Sequence, residues 1–271
     1  MISRRAFLAT AAVAGVTSPA AADKPRAGCQ TNAWNLEPPE FSRVLDVLRN
    51  IRKIGYEGFE TGFRNLLTQE GALDRAKEEI VKTGLRLIGV HIFLPDYDNE
   101  TGIAPADLIQ RVTNIASKLG AERLILSGAA ASPGKKADAL NAADEQARRV
   151  GLRVAYHNHP HDMSALENLL RVTTADLMLD AGHAFSAGAN VAAFFSRHHA
   201  RIVGMHLRDF RAGSQVVLGK GEFDMSQLAA AVQSESWNGW LINEEERLNN
   251  YKPGDAAVIP ARKALRDIFG V

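Results

Sequence analysis

The chain has 271 residues, 46% hydrophobic and 23% charged, which excludes a disordered, collagen-like or disulfide-scaffold protein and leaves ample apolar material for a core. Lys and Arg number 32 against 31 Asp and Glu, a net charge of +1, so no global basic field is there to hold nucleic acid. A single cysteine, Cys29, rules out an intramolecular disulfide and a cysteine-rich metal cage.

From the N-terminus, the first segment reads as an address. Ser3-Arg4-Arg5-Ala6-Phe7-Leu8 precedes a weakly apolar run over residues 9–16 and then Ala20-Ala21-Ala22. Paired arginines, a short apolar stretch and a small-residue cleavage pattern mark a twin-arginine export signal over residues 1–22, with 23–271 folded and delivered to the periplasm. The competing reading is a chance basic N-terminus. The apolar run is too short to cross a bilayer, so no stable membrane anchor is expected.

Beyond it, short β-rich runs recur at residues 28–33, 58–61, 87–92, 123–127, 153–157, 177–180, 202–206 and 241–244. Helical periodicity lies between them. Phe41, Val44, Leu45, Leu48 and Ile51 follow the i, i+3, i+4, i+7 rule, as do Leu108, Val112, Ile115 and Leu119. Leu140, Ala143, Ala147 and Val150 repeat it, and Ala261, Leu265, Ile268 and Phe269 close the chain the same way. Gly55, Gly84, Gly120 and Gly151 stand where helices should stop just before strands. Eight βα units in about 250 residues predict a single α/β domain, a (β/α)8 TIM barrel. A doubly wound open sheet would want an early glycine-rich phosphate turn. The glycine cluster Leu218-Gly219-Lys220-Gly221 lies late and is not one.

Polar residues gather at the predicted strand ends, the rim where a TIM barrel builds its active site. Six of the eight histidines fall there: His91, His157, His159, His161, His183 and His206, with only His198 and His199 expected in a helix. Asp180 tips the apolar run Leu177-Met178-Leu179, where an uncompensated carboxylate would be costly. Glu244, Glu245 and Glu246 end the eighth strand and repel one another unless a cation or several donors sit nearby. A solvated loop is the expectation for Glu245, and it remains open for Glu246. Gln30 and Glu60, on the first two strands, are substrate hydrogen-bonders or purely structural.

Six segments carry a resemblance: Gly55-Tyr56-Glu57-Gly58-Phe59-Glu60, Tyr156-His157-Asn158-His159, Asp180-Ala181-Gly182-His183, His206-Leu207-Arg208-Asp209, Leu218-Gly219-Lys220-Gly221-Glu222-Phe223-Asp224 and residues 240–246. Together and in this order they resemble the xylose-isomerase-like TIM barrels, the superfamily of sugar phosphate isomerase/epimerase and inosose-dehydratase-like proteins. The resemblance implies one divalent ion held by Glu, Asp, His and Glu from four strands. Asp180, His206 and Glu244 match three of these, and the first Glu position falls on His157. A two-nitrogen, two-carboxylate shell of His157, Asp180, His206 and Glu244 suits Mn²⁺, Co²⁺, Fe²⁺ or Zn²⁺ better than Ca²⁺. Alternatively His157 is a base and the ion has fewer protein ligands.

Such an ion would act as a Lewis acid on the carbonyl of a ketose or keto-cyclitol and stabilise an enediolate. His157, His159, His183 and Glu244 are the candidate acids and bases; Gln30, Glu60, His91, Arg208 and Glu246 are the candidate substrate contacts. Arg208, where the family often has lysine, holds a substrate oxygen or pairs with Asp209. The expected function is isomerisation or epimerisation of a sugar or keto-sugar. The alternatives are elimination of water or an alcohol from a keto-sugar, keto-cyclitol or keto-glycoside, and a non-catalytic sugar-binding barrel. The expected partner is a small carbohydrate rather than nucleic acid, and a homo-oligomer is left open.

Overall fold

A computed structural model of the chain describes residues 24–37, 40–246 and 252–271; the expected export signal over residues 1–22 lies outside them. Eight strands form a closed barrel: β1 (Arg26–Gln30), β2 (Gly58–Gly62), β3 (Arg86–Ile92), β4 (Arg123–Leu126), β5 (Arg153–His157), β6 (Asp176–Asp180), β7 (Ile202–Leu207) and β10 (Trp240–Asn243). All neighbours are parallel, and β1 closes the ring by pairing both β2 and β10. Two further strands, β8 (Asp209–Arg211) and β9 (Ser214–Val216), make an antiparallel hairpin in the loop after β7. The helical shell comprises α1 (Phe41–Ile54), α2 (Arg64–Leu67), α3 (Leu73–Lys82), α4 (Ala106–Leu119), α5 (Pro133–Arg148), α6 (Met163–Val172), α7 (Ala181–Ser186), α8 (Val191–His198), α9 (Ser226–Ser234) and α10 (Asp255–Phe269).

The helical periodicity meets the sheet as expected. Val44, Leu45, Leu48 and Ile51 of α1, and Leu140, Ala143 and Ala147 of α5, are buried against the strands. Val150 is a correction: α5 ends at Arg148, and Val150 lies beyond it, 40% exposed. The first strand is another. It stops at Gln30, whose side chain accepts from the Asn32 N–H and turns Thr31–Ala33 into a 3₁₀ helix.

Strand alternation places the site. On β5, β6 and β10, the residues facing the barrel axis include Ala155, Met178, Trp240 and Ile242, which pack with Ile88 and Ile125 into an apolar plug. Two residues further along the same faces come His157, Asp180 and, past Ile242, Glu244. On β7, Gly204 abuts Met178, and His206 follows at the same two-residue interval. The intervening residues Tyr156, Leu177, Leu179, Met205, Leu207 and Leu241 belong to the larger core under the helices. A dry floor thus underlies polar residues aimed at the C-terminal mouth. Among the described residues, no helix is long and apolar enough to cross a membrane.

Candidate metal and active site

One nitrogen or oxygen from each of His157, Asp180, His206 and Glu244 lies within 4.8 Å of the other three, and all four residues are buried. Beneath them sits Glu60, fully buried. It accepts from Gln30 Nε2 and His91 Nδ1, both at 3.0 Å, and from His206 Nε2 at 2.8 Å. His91 reaches on to Ser127 Oγ at 2.6 Å. Because the Nε2 of His206 is committed to Glu60, its Nδ1 is left facing Glu244 Oε2 at 2.7 Å. A carboxylate that orients a histidine in this way is the usual outer support of a metal-binding imidazole.

Arg208 supplies the compensating charge. Its Nε lies 2.8 Å from Asp180 Oδ2 and its Nη2 2.5 Å from Glu244 Oε2, with Glu246 at 3.7 Å. The pairing of Arg208 with Asp209 is therefore corrected. The Asp209 carboxylate instead accepts backbone N–H groups of Phe210, Gly219, Gly221 and Phe223, and so folds the Leu218–Phe223 segment. Gly221 is required there, since a Cβ would fall 2.0 Å from Asp209 Oδ1. Gly182 has a similar reason: its Cβ would lie 2.4 Å from Arg208 Cγ. Asp180 also caps α7 by accepting from the His183 N–H at 2.7 Å.

Electrostatics follows from this crowding. Burial opposes charge on His206, but Glu60 and Glu244 overcome it and raise the imidazole to about 10. Burial likewise opposes ionised Glu60 and Glu244, yet His206 and His91 hold Glu60 below its usual range, and Arg208 and His206 hold Glu244 well below it. The other imidazoles go the opposite way. Burial pushes His157 well down, lowers His159, and takes His183 to about 4 despite Asp180. At neutral pH these three are neutral and carry free lone pairs.

The donor set fits a divalent ion. Asp180 Oδ2, Glu244 Oε2 and His206 Nδ1 are buried and, apart from ion-pair contacts with Arg208 and with one another, make no aligned hydrogen bond among the described residues, and His157 turns its Nε2 to Asp180 Oδ2 at 3.7 Å. Their neighbours are close without being aligned for hydrogen bonding. Buried polar atoms in this condition need an explanation, and convergence on a common cation supplies one. An ion on His206 Nδ1 must displace that nitrogen's proton. We expect release of about one proton per bound ion between pH 7 and 9, read by calorimetry in buffers of different ionisation enthalpy. The same raised value stabilises the ion-free fold below about 6.5 and is lost as pH rises through about 10. Heat of binding that is independent of buffer would contradict this. Glu60→Gln is expected to weaken ion binding by about 10–100-fold, as loss of an outer carboxylate usually does. Unchanged affinity by competition with a fluorescent chelator would show that Glu60 does not orient His206.

A cavity of about 510 Å³ opens above the cluster, lined among others by Gln30, His91, His157, His159, His183, Arg208, Glu244 and Glu246. Glu60, Asp180 and His206 lie below its surface. Asn32, Asn65, Arg64, Phe93 and Lys252 also line it; none carried a motif, and their signal was only a place in the segments, short helices included, that follow β1, β2, β3 and β10. His183 is helical, on α7, contrary to the expectation that only His198 and His199 would be. Glu245 is a further correction. It is fully buried and accepts from the Leu218 N–H at 3.3 Å, because alternation turns it away from the barrel axis and under the 218–223 loop. A larger cavity of about 950 Å³ lies between α9 and α10, away from these titratable groups.

The chain matches the family described as xylose isomerase-like TIM barrel over residues 48–268. It is 26% identical over 137 residues to inosose dehydratase of Lacticaseibacillus casei, 41% of this chain and 46% of that protein. The chain thus spans about half the length of the curated relatives it matches. Among solved structures, a sugar phosphate isomerase/epimerase from Parabacteroides distasonis superposes with a TM-score of 0.70 at 16% identity, over 96% of this chain and 98% of that one. A 3-keto-D-glucoside 4-epimerase from E. coli does so at 0.67 and 16%, over 92% and 100%. At that identity the likeness shows a shared fold.

Proposed function

The chain belongs to the xylose isomerase-like TIM barrel family, and we propose that it is a divalent-metal-dependent isomerase or epimerase of a sugar or keto-sugar, working through an enediolate. The observation that carries this reading is the buried convergence of His157, Asp180, His206 and Glu244 under a cavity walled by neutral imidazoles. An ion held there would supply Lewis acidity to a substrate carbonyl oxygen. His183, neutral and facing the cavity, is placed to take a proton from the adjacent carbon and return it, a task usually worth about 10²–10⁴-fold. Gln30, Asn32 and Asn65 present amides to hydroxyl groups. Arg208 is occupied by Asp180 and Glu244, so its part is to balance charge at the floor.

A second reading has its own support. The neutral bases His157, His159 and His183 stand together, with ring centres 5.3, 5.6 and 6.4 Å apart. The opposite candidate, Glu244, is held strongly ionised by Arg208 and is a weak base. One-sided proton transfer suits 1,2-isomerisation, and equally elimination of water or an alcohol from a keto-sugar, keto-cyclitol or keto-glycoside. It suits two-face epimerisation less. The twin-arginine segment adds the proposal that the substrate is met in the periplasm as a free sugar or glycoside.

Incubation of the ion-loaded protein in D₂O with free ketoses and keto-glycosides, followed by NMR, tests both readings. Deuterium beside the carbonyl of one substrate, lost in His183→Ala, is the expected result. An unsaturated product identifies elimination. No exchange with any substrate by ion-loaded protein would favour a binding barrel.

A further inference from the structure

We propose that the β8–β9 hairpin positions the site through one cross-strand pair, Phe210 and Gln215: Phe210 seats His183, and Gln215 seats Glu244. Both roles rest on the reading of His183 as the base and Glu244 as an ion ligand.

The hairpin is short and its register is fixed. Asp209 pairs with Val216, Phe210 with Gln215 and Arg211 with Ser214, which leaves Ala212 and Gly213 as a two-residue turn. Both have positive φ, 48° and 75°, as a type I′ turn requires to match the twist of its strands. Alanine seldom adopts that φ, and here its N–H is held by Glu222 Oε1 at 3.2 Å. At the other end the Asp209 carboxylate ties the hairpin to the backbone of Gly219, Gly221 and Phe223. Directly opposed residues of an antiparallel pair share a face, so Phe210 and Gln215 leave the hairpin together.

Phe210 lies against His183, with ring centres 6.0 Å apart and planes 30° from parallel, within the range of an interacting ring pair. Two residues further along α7, Phe185 stacks on Phe223 at 4.8 Å and 12°. A helix of six residues has little stability of its own. These two ring contacts and the Asp180 cap therefore decide where His183 points.

Gln215 acts on Glu244 through the main chain. Asn243, the last residue of β10, pairs with Cys29 of β1 and Leu207 of β7. The Glu244 N–H still donates to the Leu207 carbonyl at 3.1 Å, but β7 ends there. Gln215 Nε2 then donates to the Glu244 carbonyl at 2.8 Å. A side-chain amide thus extends the ladder one residue past both neighbouring strands. Keeping residue 244 extended is what turns its carboxylate toward the axis, where it meets His206 and Arg208. One cross-strand pair thereby fixes the proposed base relative to an ion ligand.

Gln215→Met in the full-length chain keeps the length of the side chain and removes the donor. Manganese affinity by calorimetry is expected to fall about 10–100-fold, as loss of an outer partner usually does. The visible absorption of the Co²⁺-loaded protein should change with it. The ion-free melting temperature should stay within about 4 °C, since a single hydrogen bond of a half-buried side chain is lost. A purely structural role gives the reverse, a lower melting temperature with affinity and spectrum unchanged, and would overturn the Gln215 assignment. Phe210→Ala should leave manganese affinity within about threefold, because it touches no ligand. It should slow deuterium exchange into the ketose or keto-glycoside about 10–100-fold in kcat at unchanged KM, the usual cost of a displaced reacting group. Exchange at the full rate in Phe210→Ala would overturn the Phe210 assignment and leave the proposed function standing. No exchange by the unaltered protein would overturn His183 as the base, and Phe210 with it, while the manganese affinity of Gln215→Met still decides Gln215.

Discussion

His206→Ala is expected to lose manganese binding by at least about 100-fold, with turnover of any substrate falling in step. The size follows from two effects. A structural zinc site of about four ligands is worth roughly 10–16 kcal/mol, so one ligand carries on the order of 3 kcal/mol there, and manganese, bound more weakly, sets the lower figure of about 100-fold. The substitution also strips the cation from between Glu60 and Glu244, which approach His206 at 2.8 and 2.7 Å. Two buried carboxylates then face one another across the gap, and the remaining geometry loosens. Manganese is an appropriate probe because its preference for oxygen suits a site that offers two carboxylates. Calorimetric affinity within about threefold of the unaltered protein, far short of the ligand's expected share, would remove His206 from the ligand set.

Arg208→Met is expected to lower the stability of the ion-free protein by about 3–5 kcal/mol, the usual cost of removing one partner from a buried charge pair. Arg208 is 4% exposed and touches Asp180 and Glu244 together, so its loss leaves two carboxylates facing a single remaining cation, His206. For a domain of this size that is a drop in melting temperature of roughly 6–20 °C. Manganese should restore most of it, since the ion neutralises the same two oxygens. Differential scanning calorimetry with and without the metal reads both arms. An ion-free variant melting within about 2 °C of the unaltered protein, or a deficit that manganese leaves in place, would contradict the charge-balancing role.

The legible part of the site is that which repeats along one strand. His157, Asp180, His206 and Glu244 each stand at or near the end of an apolar strand on its axis-facing side, so the crowding of polar groups at that rim is readable from the strands alone, while the choice of these four as one ligand set is what the family resemblance implies. The illegible part depends on partners from distant strands. Glu60 was a candidate substrate contact, but it lies beneath the cavity because His206, 146 residues later in the chain, brings Nε2 to its carboxylate. Arg208 had an adjacent aspartate as its obvious partner. Strand alternation sends the two side chains to opposite sides, and Arg208 meets Asp180 and Glu244 instead. Glu245 was expected in water for its charge and is buried for the same alternating reason.

By itself the sequence determined the barrel, through eight apolar runs, the helical stripes between them and the glycines that stop them. It also determined which residue types crowd the C-terminal rim, because a period of two makes that readable one strand at a time. Only the tertiary structure decided which of those groups share a proton, which share a cation and which lie beneath the cavity floor. Such pairings turn on separations of about 3 Å between strands remote in sequence, where hydrogen bonds and buried charge interactions gain or lose their strength.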